Sequence, residues 1–204
     1  MNRITNPLST YPVLIRMEVE ETDKTLAVGT GFIYEYEEAY YLITNGHNLT
    51  GVNPETNTRL TDHAAFPTRL SMTVRYEVQP EFDVALREGD VMTGPGEFTA
   101  RLYRDDDYTQ PFWYIHPKHG YNVDVVALFI GSKTAHPENL IIRPLNTYSG
   151  FSNPKGFEAT PEVADDVYIL GYPFGITHKQ SLPIWKRGSI ATEPEFDYKV
   201  GWSS

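Results

Sequence analysis

The sequence predicts an all-β fold, and three observations carry that expectation. Short β-type runs recur along the 204 residues, turn-forming clusters of Gly, Pro, Asn and Asp separate them, and helical periodicity is scarce. With 15 Gly and 15 Pro the chain has ample turn residues. The 14 tyrosines and 10 phenylalanines agree with this: tyrosine suits a half-buried strand, because its body is apolar and its tip polar. Many short strands with regular turn signals indicate a sandwich or barrel.

The runs follow in order. "YPVLIRMEVE" covers 11–20. "TGFIYEY" (30–36) and "AYYLITN" (39–45) flank the short polar break Glu37-Glu38 and read as a hairpin. "RLSMTVRYEV" (69–78) and "FTARLYR" (98–104) come next, with "REGDVMTGPGE" (87–97) as a loop-like stretch between them. "DVVALFIG" (124–131) is apolar enough for a core strand. Beyond the Gly-, Pro-, Ser- and Asn-rich stretch 146–162, either a linker between two units or a long loop, lie "DVYILGY" (166–172) and "RGSIAT" (187–192).

Composition excludes several classes. Apolar residues at 40% and aromatics at 13% argue against disorder. The net charge of −10, from 17 Lys plus Arg and 27 Asp plus Glu, argues against nucleic acid or an anionic membrane as partner, since both reward clustered positive charge. The absence of cysteine excludes disulfides, thiolate zinc sites and a thiol nucleophile. The N-terminus lacks an uninterrupted apolar stretch of the secretory type, and no run approaches the roughly 18 apolar residues that span a bilayer. The expected location is cytoplasmic, with secretion left open. No cofactor is expected.

The stretch "YYLITNGHNLTG" (40–51) places an ionisable imidazole, His47, straight after a strand that reads as buried. A proton-transferring histidine needs a partner that holds its ring in one tautomer, usually a buried carboxylate. Two aspartates lead into apolar runs. Asp83 in "EFDVAL" is followed by only three apolar residues, whereas Asp124 leads into Val-Val-Ala-Leu-Phe-Ile. An aspartate at the edge of a core strand needs donors to satisfy its charge, and a histidine N–H is one.

Taken together these residues resemble the trypsin-like (chymotrypsin-fold) serine proteases. "GTGFIYEYEEAYYLITNGHNL" is similar to the family's G-[ST]-G-F hairpin and T-x-x-H segment, and "WYIHPKHGYNVDVVALFI" to its HP…D-[IV]-[AV]-x-L segment. "DDVYILGYPFGI" and "KRGSIAT" resemble later strands of its bacterial branch, in the same order. The resemblance covers roughly residues 25 to 195. It implies two antiparallel β-barrels, at about 1–150 and 151–204 within one peptidase domain, the second incomplete. It assigns His47 as general base and Asp124 as its orienting carboxylate, with Asp83 as fallback, and a peptide or protein as substrate or partner. Asn45 and Gly46 stand where the family has small residues, and "DHAAFPTRLSM" and 87–97 would be insertions.

The third member of such a triad is a serine in a G-x-S-G turn, which exposes the hydroxyl and aims two backbone donors at the developing charge. No G-x-S-G occurs in residues 1–204, and Ser203 in "VGWSS" mimics only half of it. The expectation is an endopeptidase domain without its nucleophile segment, inactive in this form; the alternative is a protease-like binding or regulatory module. An incomplete barrel would leave an open edge, through which self-association is expected.

Other residues read more plainly. His116 and His119 in "HPKH" lack a completing ligand set, so no metal is expected. Asp105–Asp107 lack the spacing of a calcium loop and read as a solvated turn. His63, His136 and His178 read as surface residues.

Overall fold

The computed structural model describes residues 6–56, 58–60, 65–77, 93–149, 160–177 and 181–196. They form mostly antiparallel β-sheet, as the all-β expectation requires. Eight strands make one sheet: β1 (Pro12–Val19), β2 (Lys24–Tyr36), β3 (Ala39–Thr44), β4 (Arg69–Glu77), β5 (Thr93–Arg101), β6 (Trp113–Ile115), β7 (Val126–Ser132) and β8 (Leu140–Ile141). The path is β5-β4-β1-β2-β3-β7-β6, with β8 added on β4. β9 (Asp166–Gly171) and β10 (Ile184–Ser189) form a separate two-stranded sheet. A single α-helical turn, α1, covers Gly46–Thr50. Among the described residues no helix is long and apolar enough to cross a membrane.

The β2–β3 hairpin turns where the polar break lies. Glu37 and Glu38 both take positive φ, 45° and 60°, the pair of left-handed residues that a two-residue hairpin needs to match strand twist. Tyr36 faces Ala39 across the turn, and the ladder runs on to Phe32 opposite Ile43. Alternation then sorts the side chains. Ile15, Met17, Leu42, Leu70, Met72 and Leu128, with Leu102 just beyond β5, are fully buried in one core, while Leu14, Glu18 and Ser71 alternate with them in sequence and are buried as well.

The ends of the long sheet path meet at one corner. β5 runs directly into the 102–112 turn that leads to β6. There Phe112 N–H donates to Leu102 O at 2.9 Å, and Arg104 N–H donates to Gln110 O at 2.8 Å. Leu102 N–H in turn donates to Thr68 O at 3.0 Å, which ties this corner to the start of β4.

One expectation about the strands needs correcting. Part of the loop-like stretch 87–97 is strand: Thr93 to Glu97 pair with Glu77 to Thr73. Gly94, Pro95 and Gly96 read as turn residues, but an outer strand tolerates a proline that donates nothing to the ladder. Gly96 also makes room for the Tyr76 ring, which a Cβ there would meet at 2.3 Å. Arg69–Met72 begin β4, as the β-type run at 69–78 predicts, and pair with β1 through Ile15↔Met72. Short elements were not foreseen: β6, β8 and α1 have three, two and five residues, too few for a period to show. Most of the 146–162 stretch and the 87–92 segment lie outside the described residues.

Contacts tie residues 160–196 to the large sheet. Tyr172 N–H donates to Thr30 Oγ1 at 3.0 Å, and its hydroxyl lies 3.0 Å from both Pro12 O and Ser181 O. Trp185 Nε1 donates to Ser9 Oγ at 2.9 Å. Gly171 sits against Thr30, whose Oγ1 a Cβ would meet at 2.9 Å.

Candidate active site

The site is a consequence of strand register. β3 pairs antiparallel with β7, and Thr44 faces Val126. The chain leaving β3 and the chain entering β7 therefore lie at the same end of the sheet. His47 follows Thr44 closely, Asp124 just precedes Val126, and the two meet.

α1 turns His47 toward that meeting point. Asn45 is still extended, at φ −70° and ψ 142°, and Gly51 closes the helix in the left-handed region at φ 68°, its N–H donating to His47 O. Leu49, fully buried, anchors the turn in the core. A helix this short gains little from its own hydrogen bonds, so side chains hold it. Asn48 Nδ2 donates to Thr44 Oγ1 at 2.9 Å, Thr44 Oγ1 donates to Thr30 O at 2.9 Å, and Thr50 Oγ1 donates to Gly46 O at 3.1 Å. Gly29 leaves the space that Asn48 fills, since a Cβ there would lie 2.8 Å from Asn48 Nδ2.

Asp124 uses both carboxylate oxygens. Oδ1 accepts the His47 backbone N–H at 2.9 Å. Oδ2 lies 2.5 Å from His47 Nδ1 and accepts Asn45 Nδ2–H at 3.2 Å; Asn45 also donates to Asp124 O at 3.0 Å. A carboxylate offers only lone pairs, so the shared proton belongs to Nδ1. That leaves Nε2 with its lone pair, able to accept a proton. The His47 and Asp124 side chains are 36% and 26% exposed, so the ring is held yet reachable. They open on a cleft of about 390 Å³, shared with Thr50, Val52, Tyr121 and Asn122.

The structure thus brings together His47 and Asp124. Asp83, Ser203 and Ser204 lie outside the described residues. Two contributors escaped the sequence reading. Asn45 appears there only as a departure from a pattern, yet it bridges to Asp124. Tyr121 walls the cleft and accepts the Trp113 Nε1–H at 3.0 Å. An amide directly preceding Gly-His was the available signal for Asn45; Tyr121 had none.

The minor sites resolve locally. His116 Nδ1 accepts the N–H groups of Lys118 and His119 at 3.2 and 3.0 Å. The proton of neutral His116 then sits on Nε2, which is the wrong tautomer for a metal ligand on that nitrogen. Asp105 closes the 105–110 turn, accepting from Thr109 N–H and Gln110 N–H at 3.1 and 2.8 Å. His136 is no surface residue: both of its ring nitrogens are buried. His63 and His178 lie outside the described residues.

Comparisons of the chain with family models, with curated proteins and with solved structures found no match.

Asp124→Ala should leave the His47 backbone N–H without its acceptor and free the ring to turn. A loss of about 1–3 kcal/mol in denaturant unfolding is expected. The low-field proton resonance of a strongly hydrogen-bonded imidazole N–H should be present in the native protein and missing in this variant. Its persistence would show that Asp124 is not the partner.

Proposed function

We propose that the chain carries the general base and the orienting acid of a trypsin-like serine endopeptidase, on the first of two antiparallel β-barrels. The observation that carries this reading is the His47–Asp124 pair, with Nδ1 2.5 Å from Oδ2 and the backbone N–H of His47 on the other oxygen. In such an enzyme Asp124 fixes the Nδ1–H tautomer and stabilises the imidazolium, while Nε2 takes the proton of an attacking serine and returns it to the leaving amine. The corner bonds between Leu102 and Phe112 favour a first barrel, since they bring the two ends of the sheet path together. The β9–β10 pair would begin the second barrel, and its exposed Tyr168 and Ile169 offer a surface for a protein partner or a second copy.

Residues 1–204 contain no G-x-S-G. Without that turn no serine is set to pass its proton to His47 among the described residues, and residues 1–204 alone are expected not to cleave peptides. The same observation favours a second reading, a protease-like module that binds without cutting. A fluorophosphonate probe, which labels an activated serine, separates the outcomes. Residues 1–204 are expected to remain unlabelled. Labelling of Ser203 or Ser204 that His47→Ala abolishes would overturn the inactive reading. Labelling of a longer product of the same gene, lost in His47→Ala, would establish the peptidase. No labelling of either would leave the binding module.

A further inference from the structure

His136 is a half-buried titratable group, with both ring nitrogens shielded from solvent, that the proposed chemistry does not use. It follows the 3-10 turn Lys133–Ala135 and lies between two rings, with centroids 5.6 Å from Tyr40 and 5.4 Å from Phe98. Neither ring nitrogen has a hydrogen-bond partner among the described residues. The backbone of Gly131 makes room for it: at φ 131° that position suits glycine, and a Cβ would lie 3.0 Å from Nε2. A neutral imidazole in this place forgoes its donor and its acceptor. A charged one would forgo two donors and its hydration as well.

The ring also divides two spaces. A small inner cavity of about 40 Å³ borders core residues such as Val13, Ile33 and Met72, and an open outer one of about 590 Å³ borders Glu77 and Glu138. His136, Leu140, Ile141 and Ile142 wall both, so the 133–142 segment is the partition. Few bonds hold it. Lys133 N–H donates to Glu38 O at 3.0 Å, Glu77 N–H donates to Asn139 O at 2.8 Å, and β8 adds two residue pairs with β4.

We propose that His136 is an acid-released latch: neutral, it closes the 133–142 segment over the core, and protonated, it swings that segment into the outer cavity. The charges around it point the same way. Arg75 and Arg143 border the inner cavity and disfavour a further cation there, whereas the carboxylates Glu77 and Glu138 border only the outer one. Lys133 also borders the outer cavity, but it is paired with Glu35 at 2.6 Å and Glu38 at 3.5 Å. The phenols of Tyr11, Tyr40 and Tyr172 carry no charge in acid. Burial lowers the proton affinity of the closed ring below the ordinary value, so the open form binds the proton better. Opening must then grow as pH falls below about 6.5, by at most about tenfold per pH unit, until the closed form also protonates.

Hydrogen exchange of the whole chain between pH 7.5 and 4.5 tests this. After division by intrinsic rates, the amides of Glu77 and Leu140 should open progressively more as pH falls below about 6.5, by at most about tenfold per unit, while core amides such as Leu42 and Leu128 stay unchanged. His136→Phe fills the same place between the rings without titrating and should abolish the dependence. His136→Gln, neutral at every pH, decides the matter if the phenylalanine variant does not fold. A flat profile in the native chain, an equal rise in the non-titrating variant, or a parallel rise in the core amides would each overturn the proposal.

Discussion

Glu18→Ala is expected to lower the unfolding free energy by about 3 kcal/mol in urea melts. Glu18 is only 8% exposed although it lies on the outward side of β1. Oε2 accepts from Arg69 Nε and Nη2 at 3.0 and 2.8 Å, and Oε1 accepts from Ser71 Oγ at 3.0 Å. The cross-strand register makes this possible, because Glu18 faces Arg69 directly and Ser71 is the next residue on the same side of β4. Removing the carboxylate strands a buried hydroxyl, since Ser71 is 1% exposed, and takes from Arg69 its less exposed partner. Arg69 keeps Asp23 at 2.7 Å, which holds the cost near the lower end for a broken buried pair. A combined Glu18→Leu, Arg69→Met, Ser71→Ala variant should recover most of the loss, because no group is then left unpaired. A loss below 1 kcal/mol in the single variant would place the pair among weak surface contacts instead.

Alkaline pH should unfold the protein between about pH 10 and 12. Burial pushes the Tyr103 and Tyr172 phenols up to about 12. In the unfolded chain both ionise near 10. A raised acid favours the folded state while it stays protonated, so its contribution is complete below pH 10 and is lost as pH rises toward 12. Two units correspond to at most about 3 kcal/mol for the buried Tyr172 and less for the half-buried Tyr103, where solvent screens the effect, still a sizeable part of a typical domain's stability. Near-UV circular dichroism and phenolate absorbance, followed together with pH, should show ionisation of these two rings coinciding with loss of tertiary signal. The Tyr103→Phe, Tyr172→Phe double variant should keep its structure through that range, at a cost near neutrality of about 1 kcal/mol for the lost Tyr172 hydroxyl bonds. An unchanged alkaline midpoint would show that other groups control it.

The sequence by itself determined the all-β class, the main strands and the β2–β3 hairpin, because each rests on local pattern: β-rich runs, turn residues, a polar break at Glu37-Glu38. It also singled out His47 and narrowed its acid to Asp124 or Asp83. The tertiary structure alone decided the rest. Asp124 reaches His47 because β3 pairs with β7 in the register that sets Thr44 opposite Val126, and no local pattern records the register of strands so distant along the chain. Asn45 acquires its contact only through that pairing. The start of β5 was hidden because Gly and Pro mark turns locally yet fit an outer strand that has a partner on one side. His136 read as exposed because it sits in the turn-like stretch Thr134-Ala135-His136-Pro137-Glu138-Asn139, whereas the rings packed against it, Tyr40 and Phe98, belong to β3 and β5. Burial is a property of the assembled sheet, and a single residue's neighbours in sequence do not carry it.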